Sequence, residues 1–332
     1  MKKIAVIGGG SFGATLAILL NDNGHQVRLW EYLEDEVAKY ESGNREVAVL
    51  PGIFLPSDMP VSNDLRTVVE GAEIILLAVP SHAVRTMAGR LNEFVDWQPL
   101  LVDVAKGIEE SSLLRMSELV AEVFPKLPES NYVCLSGPSH AEEVSRHIPT
   151  TVVAAATDME SARVIQETFS SEYFRVYTND DLCGVEVGGA VKNVIALAAG
   201  ICDGLGFGDN TKGALLNRGL VEISRLGAEM GAQPSTFFGL SGMGDLITTC
   251  MSRHSRNRFV GEEIGKGLHL SEILDNMQMV AEGVKTTRSV NDLRQRFDID
   301  MPIAQSVYKI LFEELDPLQE VTDLMTRKLK QE

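Results

Sequence analysis

The chain opens with an apolar strand that runs directly into a glycine-rich turn and then a helix. Residues 4–7 are all apolar, as in a central parallel strand that is covered on both faces. The pattern Gly-x-Gly-x-x-Gly follows at 8–13, and residues 14–23 have the apolar spacing of a helix. Because the first turn of a helix presents unpaired amides and a positive dipole end, we expect an anion to bind here.

The three glycines have separate mechanical roles in a fold that binds a dinucleotide. Gly8 permits a tight turn, Gly10 lets the backbone approach a pyrophosphate, and Gly13 lets the helix pack against the strand. A second apolar strand follows at 26–30, as this motif requires. The sequence therefore predicts a dinucleotide site, with a glycine-rich turn that binds no ligand as the alternative.

The residues after the second strand bear on the choice between NAD and NADP. Glu31 lies 18 residues beyond Gly13, close to the spacing of the acid that accepts a hydrogen bond from the ribose 2′-hydroxyl of NAD. A carboxylate there repels the 2′-phosphate of NADP, so the sequence favours NAD and leaves NADP open. In the alternatives, Glu31 is only a solvated strand end, and Tyr32 stacks on the adenine of either cofactor.

Length and composition limit the kind of protein this can be. A chain of 332 residues exceeds what one hydrophobic core usually supports, which favours two domains. The formal net charge of −17 argues against nucleic acid or an anionic membrane surface as a partner. The four cysteines and six histidines lack the spacings of disulfide frameworks and metal sites, so we expect reduced cysteines and no metal.

Location is predicted from apolar runs and from the start of the chain. We find no apolar run as long as a membrane span, and the first strand at Ile4 leaves no room for a signal peptide. The sequence therefore predicts a cytoplasmic protein without membrane insertion.

The pattern of elements changes halfway along the chain. Apolar runs alternate with helical patterns in the first half, which predicts an α/β fold: a Rossmann-like, mostly parallel sheet with helices on both faces. The runs lie at 4–7, 26–30, 73–79, 100–104, 132–135, 150–155 and 174–177. From residue 181 only helical patterns remain, with a polar turn predicted at 208–212. We predict a dinucleotide-binding domain at 1–184 and an all-α, substrate-binding C-terminal domain at 185–332.

The helical pattern at 185–203 contains one lysine, Lys192, among small and apolar residues. A helix that is apolar all round is buried, and a lysine in it is unfavourable unless it has a task. Burial favours the neutral amine, which makes Lys192 a candidate general acid and base. In the alternative, the side chain extends to the helix end and stays in water.

A basic segment stands out in the second half of this acidic chain. Ser255 is a candidate helix N-cap, and with Arg256 and Asn257 it offers a hydroxyl, a guanidinium and backbone amides, the donors that bind a phosphate. Arg253 and Arg258 add positive charge. The alternative is a solvated basic loop.

Two further polar segments follow predicted strands. Lys106 follows the run at 100–104, and residues 136–142 follow the run at 132–135. Ligands bind at the carboxyl ends of strands in open α/β sheets, so both segments are candidate site residues.

These motifs together resemble the soluble NAD(P)-dependent sn-glycerol-3-phosphate dehydrogenases. The similar blocks stand in the family's order at 8–13, 106–107, 136–144, 191–200, 208–219, 239–250, 255–258 and 281–283. The resemblance implies an oxidoreductase that interconverts dihydroxyacetone phosphate and sn-glycerol 3-phosphate by hydride transfer with NAD(P)H. It also implies a homodimer and a supply of glycerol 3-phosphate for glycerophospholipid synthesis.

The resemblance assigns roles to single residues as well. It implies that Lys192 is the proton acceptor and donor, oriented together with the substrate oxygen by Lys106, Asp245 and Thr249. The implied substrate contacts are Lys106, Gly137, Ser139, Lys192, Asp245, Ser255, Arg256 and Asn257. With the glycine turn, the predicted cofactor contacts are Gly8, Gly10, Ser11, Phe12, Gly13, Glu31, Tyr32, Lys106, Ala141, Arg256, Val280 and Glu282.

Departures from the family's pattern bear on the cofactor. Tyr32 stands where many bacterial members have His or Arg, which again favours NADH, and Phe12 replaces a common Trp. Two other interpretations stay open: a β-hydroxyacid-type dehydrogenase with the same two-domain plan, and a non-catalytic NAD-sensing module.

Overall fold

An eight-stranded sheet forms in the first half of the chain, in a computed structural model that describes residues 1–277, 280–329 and 331. Its strands are β1 (Lys3–Ile7), β2 (Gln26–Trp30), β3 (Val61–Ser62), β4 (Ile74–Leu77), β5 (Leu100–Asp103), β6 (Tyr132–Ser136), β7 (Thr150–Ala155) and β8 (Phe174–Asn179). Seven coincide with predicted apolar runs. The two-residue β3 is too short to show a pattern, and the sequence analysis missed it.

The sheet is ordered β3-β2-β1-β4-β5-β6-β7-β8. Every neighbouring pair is parallel except β6 and β7, which run antiparallel with Leu135 opposite Ala154. Strands β4 and β6 are buried at every residue, which requires cover on both faces of the sheet. The predicted mostly parallel α/β sheet is confirmed.

Helices connect these strands and complete the core. They are α1 (Ser11–Asp22), α2 (Glu34–Glu41), α3 (Leu65–Val69), α4 (Ser81–Phe94), α5 (Met116–Val123), α6 (Ala141–Val144) and α7 (Met159–Phe169). Leu16 and Leu20 of α1 lie in one buried cluster with Ile4 and Val6 of β1. The apolar spacing of α1 therefore places this helix against the first strand.

The glycine turn has the local geometry that the sequence predicts. Gly8 has φ +117°, a conformation that side chains rarely adopt, so the tight turn requires glycine. A Cβ at Gly13 would collide with the carbonyl oxygen of Gly8 and lie 3.0 Å from the Cβ of Ala78. Glycine at this position lets α1 begin at Ser11, directly after the turn.

The second half of the chain is helical. Its helices are α8 (Leu182–Gly204), α9 (Asp209–Glu229), α10 (Asp245–Met251), α11 (Arg256–Gly265), α12 (Leu270–Asp275), α13 (Glu282–Arg296), α14 (Pro302–Phe312) and α15 (Pro317–Met325). Among the residues that the structure describes, no strand follows β8. The predicted all-α region after the sheet is confirmed.

The prediction that no apolar run reaches the length of a membrane span is corrected by α8. By length and composition α8 could span a membrane, with a mean hydropathy of 1.5 over its most apolar stretch. That stretch is completely buried within the protein, so α8 is a core helix. Charged residues such as Lys192 interrupt this helix, so the sequence shows no unbroken apolar run there.

The predicted polar turn at 208–212 is also corrected. Helix α9 begins at Asp209, with Gly208 as its N-cap. Asp, Asn and Thr are typical both of turns and of helix starts, and an acidic side chain in the first turn is favoured by the helix dipole. Composition alone could not separate these two possibilities.

The chain divides into two compact units. The first comprises Met1–Lys106 and Leu114–Val185, and the second comprises Gly107–Leu113 and Glu186–Glu332. The sequence did not anticipate that the segment Gly107–Leu113 groups with the helices. The carbonyl oxygen of Ile108 accepts a hydrogen bond of 2.9 Å from Ser289 Oγ, which fastens this segment to α13. The predicted roles of 1–184 and 185–332 stay predictions.

Glu222 is a buried carboxylate that the sequence analysis did not single out. It is 2% exposed, and its two oxygens accept hydrogen bonds from the amides of Ile303 and Ala304 at the start of α14. Burial raises the pKa of Glu222 from its ordinary value of 4.5 to about 7, although these amides oppose the rise. The folded protein therefore holds this proton more tightly than the unfolded chain.

This raised pKa predicts a loss of stability as the pH rises from about 4.5 through about 7. Glutamine is neutral at every pH, so the free energy of unfolding of the wild type should fall by about 3 kcal/mol relative to Glu222→Gln across that range. Urea unfolding of both proteins at pH 5 and pH 8 measures it. If the free energies of unfolding of the two proteins differ by the same amount at both pH values, the raised pKa of Glu222 is wrong.

Candidate active site

The predicted site residues fall into two groups, one in each compact unit. The first unit contains Gly8, Gly10, Ser11, Phe12, Gly13, Glu31, Tyr32, Lys106, Gly137, Ser139 and Ala141. The second unit contains Lys192, Asp245, Thr249, Ser255, Arg256, Asn257, Val280 and Glu282. Within each unit, several of these residues are in direct contact.

The glycine turn fits the pyrophosphate of a dinucleotide. Helix α1 has no acidic residue in its first turn, so no side-chain charge there opposes an anion. A Cβ added at Gly10 would meet no atom within 4 Å, which shows that the backbone faces open space at this point. Ser11 is buried at the helix start, and Phe12 is partly buried against the core.

Glu31 lies beside this turn and is 8% exposed, so it is not a solvated strand end. Its Oε1 accepts a hydrogen bond of 2.9 Å from the amide of Leu33, and a Cβ at Gly9 would collide with its Oε2. Burial raises the pKa of Glu31, and hydrogen bonds from Leu33 and Gly9 oppose the rise. Tyr32 is 72% exposed, which leaves its ring accessible to a ligand.

Lys106, Gly137 and Ser139 meet at the carboxyl ends of β5 and β6. The carbonyl oxygen of Gly137 accepts hydrogen bonds from Lys106 Nζ and from Ser139 Oγ, both at 3.0 Å. The two polar segments that follow predicted strands are therefore neighbours, as the sheet order requires. Ala141 begins the short helix α6 and is buried.

Asp103 positions the loop that carries Lys106, and the sequence analysis overlooked it as part of an apolar strand. Asp103 is fully buried, with Oδ1 accepting from the Ala105 amide at 2.9 Å and Oδ2 from the Tyr132 hydroxyl at 3.0 Å. In the sequence, Asp103 could have been identified as a carboxylate at the end of a buried strand. Such a residue needs hydrogen-bond partners and so marks a fixed loop.

Lys192 lies in the buried part of α8 and is 5% exposed. Its Nζ donates hydrogen bonds of 2.6 Å to Asp245 Oδ1 and to Thr249 Oγ1. Asp245 and Thr249 are one turn apart on α10, and the threonine hydroxyl also donates to the carboxylate at 3.1 Å. The alternative of a lysine that extends into water is wrong.

The carboxylate of Asp245 forms a buried ion pair with Lys192. Burial alone disfavours the ammonium form, but an opposite charge at 2.6 Å favours it. A lysine held between these opposing effects can give or take a proton at a substrate oxygen. The neighbouring Cys250 is fully buried, and burial raises its pKa to about 12, so it remains a thiol.

The start of α11 presents hydrogen-bond donors. Ser255 is its N-cap, as predicted, and its Oγ accepts from the Arg258 amide at 3.2 Å. The Arg256 guanidinium donates to the carbonyl oxygen of Val280 at 3.0 Å. The alternative of a uniformly solvated basic loop is wrong, because Arg258 pairs with Asp203 at 2.6 Å.

Arg256 differs from Arg253 in its exposure and from Arg258 in its ion pairing. Arg253 is exposed, and Arg258 also lies 3.4 Å from Glu262. Within the described part of the chain, no carboxylate pairs with Arg256. Its positive charge is therefore available to an anion.

The Asn257 side chain of α11 is buried and forms hydrogen bonds to two other helices, α8 and α13. Its Nδ2 donates to Asn193 Oδ1 of α8 at 3.0 Å, and its Oδ1 accepts from the Gly283 amide of α13 at 2.9 Å. Its backbone amide, in the first turn of α11, has no acceptor within the helix and can donate to a ligand. The last predicted cofactor contacts, Val280 and Glu282, lie at the start of α13.

In the part of the chain that the structure describes, no cluster of three or more His, Cys, Asp or Glu side chains could hold a metal ion. The four cysteines are free thiols.

Comparison with known proteins gives a consistent result over the full chain. The family models described as NAD-dependent glycerol-3-phosphate dehydrogenase N-terminus and C-terminus match residues 3–162 and 181–322. A relative from Chlorobium phaeobacteroides, named glycerol-3-phosphate dehydrogenase (NAD(P)+), is 48% identical over 99% of both chains. One of the same name from Pelotomaculum thermopropionicum is 50% identical over 98% of this chain and 93% of its own. The crystal structure of glycerol-3-phosphate dehydrogenase from Coxiella burnetii has a TM-score of 0.93 at 37% identity, covering 98% of this chain and 99% of its own.

Proposed function

The chain belongs to the NAD-dependent glycerol-3-phosphate dehydrogenase family, and we propose that it uses Lys192 as the proton donor and acceptor of the family's reaction. The protein is an oxidoreductase that interconverts dihydroxyacetone phosphate and sn-glycerol 3-phosphate with NAD(P). The observation that carries the proposed role is the buried contact of Lys192 Nζ with Asp245 and Thr249. A non-catalytic sensor has no use for such a proton donor.

Lys192 acts on the oxygen at C2 of the substrate. The bound nicotinamide supplies or accepts the hydride at this carbon. During reduction, Lys192 donates a proton to the C2 oxygen, and during oxidation it accepts that proton. Asp245 and Thr249 fix the direction of Nζ with two short hydrogen bonds. The family resemblance assigns Lys106 to the orientation of the substrate oxygen.

The substrate phosphate binds at the start of α11. Arg256 offers a guanidinium and Ser255 a hydroxyl, and the first-turn amides of Arg256 and Asn257 can donate to an anion, because they have no acceptor within α11. We call Ser255, Arg256 and Asn257 the phosphate clamp. Binding at this remote group orients the reacting carbon and so contributes to the rate. Gly137 and Ser139 complete the predicted substrate contacts.

The first unit holds the dinucleotide. Its pyrophosphate binds at the turn of Gly8, Gly10 and Gly13, and Glu31 accepts a hydrogen bond from the adenosine ribose. From this unit, the family resemblance adds Ser11, Phe12, Tyr32, Lys106 and Ala141. From the second unit it adds Arg256, Val280 and Glu282. The opening in front of Gly10 and the position of Glu31 beside Gly9 support this arrangement. We accordingly propose dinucleotide binding for residues 1–184 and substrate binding for 185–332.

Isotope transfer tests the proposed reaction. NADH that carries deuterium at the transferring position of C4 should label C2 of sn-glycerol 3-phosphate formed from dihydroxyacetone phosphate. Product that contains no deuterium would contradict direct hydride transfer.

Glu31 predicts that the wild type prefers NADH. The carboxylate accepts a hydrogen bond from a ribose 2′-hydroxyl and repels a 2′-phosphate. Glu31→Ser should reduce the preference by about tenfold, the effect of one hydrogen bond to a charged group. Adding Tyr32→Arg should reverse it, because arginine pairs with the phosphate. The measurement is kcat/KM for both cofactors in all three proteins.

Tyr32→Phe is a matched control, because it keeps a ring at position 32 and adds no charge. The serine hydroxyl of Glu31→Ser can still accept from the Leu33 amide, which limits the disturbance of the turn. Equal or better use of NADPH by the wild type would show that Glu31 does not face the ribose.

Assembly and location are further proposals. We infer a homodimer, because the resemblance implies one and symmetric dimers are the commonest assembly. Light scattering should then give twice the chain mass of 36.2 kDa. We also infer that the protein acts in the cytoplasm and supplies sn-glycerol 3-phosphate for glycerophospholipid synthesis.

A further inference from the structure

Helices α8 and α11 cross with their backbones in contact. Each has two glycines four residues apart at the crossing, Gly200 and Gly204 on α8 and Gly261 and Gly265 on α11. A Cβ at Gly200 would collide with the carbonyl oxygen of Arg258, and one at Gly265 would lie 2.5 Å from that of Ile201. The two helix axes are therefore held at a fixed, short separation.

The crossing joins the two chemical parts of the proposed site. Helix α8 carries Lys192, and α11 begins with the phosphate clamp. The Asn193 side chain accepts a hydrogen bond from Asn257 at 3.0 Å, so a second contact links the helices near Lys192. A change in how α11 sits on α8 thus changes the distance between proton donor and clamp.

Asp203 lies on α8 between the two glycines and holds the first turn of α11. Its Oδ2 accepts a hydrogen bond of 2.6 Å from Arg258 Nε, and its Oδ1 pairs with Lys212 of α9. The Asp203 side chain is 14% exposed, and those of Lys212 and Arg258 are 15% and 19% exposed. At this exposure the ion pairs are shielded from solvent more than surface pairs are.

Arg258 links Asp203 directly to the phosphate clamp. The Arg258 amide donates to Ser255 Oγ, the cap of α11, while its side chain is held by Asp203. Asp203 is itself paired with Lys212 and Arg258, and among the described residues no carboxylate pairs with Arg256. None of these contacts requires Asp203 to touch the substrate.

We propose that Asp203 is a positioning residue, which sets the first turn of α11, and with it the guanidinium of Arg256, relative to Lys192. The inference rests on the proposed phosphate clamp. Removal of Asp203 releases the Arg258 side chain and allows the capped turn to shift. A substrate misplaced by roughly 1 Å can lose about a hundredfold in rate, so even a smaller shift is measurable.

The test compares Asp203→Ala with Asp203→Asn. Asp203→Ala should raise KM for dihydroxyacetone phosphate by about tenfold, the effect of one weakened charge-assisted hydrogen bond to the phosphate. It should change KM for NADH much less, because the glycine turn still binds the pyrophosphate. Asp203→Asn keeps an oxygen acceptor for Arg258 Nε and should restore most of the loss. If Asp203→Asn loses as much as Asp203→Ala, the carboxylate acts through its charge and the positioning role is wrong.

Glu320→Ala is the matched control for stability. Glu320 is another buried carboxylate in the same unit, and it forms an ion pair of 3.3 Å with Lys309 that this variant removes. Glu320→Ala should lower the melting temperature without changing KM; if it raises KM as Asp203→Ala does, the effect is general destabilisation and the proposal is wrong. Should Asp203→Ala fail to fold, Arg258→Lys, which keeps the charge and loses Nε, is measured against the same prediction.

Arg256→Ala, measured in parallel, distinguishes failure of the phosphate clamp from failure of the positioning role of Asp203. If Arg256→Ala leaves KM for dihydroxyacetone phosphate unchanged, the proposed clamp is wrong, and so is the role of Asp203 that depends on it. If Arg256→Ala raises KM and Asp203→Ala leaves it within error of the wild type, the clamp stands and only the positioning role is wrong.

Discussion

Replacement of Lys192 by alanine should lower kcat for dihydroxyacetone phosphate reduction by about 10²–10⁴, the range of general acid–base catalysis. The KM values for substrate and cofactor should change little, because the proposed phosphate and pyrophosphate contacts lie elsewhere. In the structure, Lys192 Nζ donates hydrogen bonds to Asp245 and Thr249, which orient it. Steady-state kinetics with NADH measures the change.

Lys192→Ala also leaves the Asp245 carboxylate buried without its cation, which typically costs about 3–5 kcal/mol of stability. Lys309→Ala is the matched control, since it removes a lysine from another buried carboxylate, Glu320, outside the proposed site. Thermal melting of both variants shows whether they are folded at the assay temperature. A folded Lys192→Ala protein that keeps more than about a third of the wild-type kcat would exclude general acid–base catalysis by this lysine.

Arg256→Ala should raise KM for dihydroxyacetone phosphate by about tenfold to a hundredfold. This follows from the loss of a charge-assisted hydrogen bond to phosphate, which contributes about 1.5–3 kcal/mol. Residual activity on unphosphorylated dihydroxyacetone should barely change, because that molecule has no group for the clamp. The measurement is kcat/KM for both substrates at fixed ionic strength.

Arg253→Ala provides the control for Arg256→Ala. Arg253 is exposed in the same basic segment, so its removal takes away the same charge without touching the proposed clamp. Arg253→Ala should leave KM nearly unchanged at moderate salt, where exposed charges are screened. Equal losses on dihydroxyacetone phosphate and on dihydroxyacetone in Arg256→Ala would rule out a phosphate clamp.

Much of the fold could be predicted because it depends on local patterns. The apolar strands, the glycine turn and the N-cap at Ser255 each follow from a few neighbouring residues. The errors come from ambiguous composition: the residues at 208–212 suit both a turn and a helix start, and α8 is apolar in spite of its charged residues. The antiparallel placement of β7 has no local signal, because it depends on the path of the chain between β6 and β7.

The candidate site was predictable only in part. Lys192 stands out as one lysine in an apolar helix, but its partners Asp245 and Thr249 lie 53 and 57 residues away and were implied only by the family resemblance. Asp203 gives no signal in the sequence, because its role depends on the crossing of α8 and α11. Residues that position others are found by their contacts, which only the folded chain shows.

The most direct test of the account compares initial rates of NADH and NADPH oxidation by the wild type with dihydroxyacetone phosphate and with dihydroxyacetone. We expect rapid oxidation with dihydroxyacetone phosphate, faster with NADH than with NADPH, and sn-glycerol 3-phosphate as the product. Dihydroxyacetone should be a poor substrate, because it cannot use the clamp. No oxidation with dihydroxyacetone phosphate and either cofactor, or equal rates with both substrates, would contradict the account.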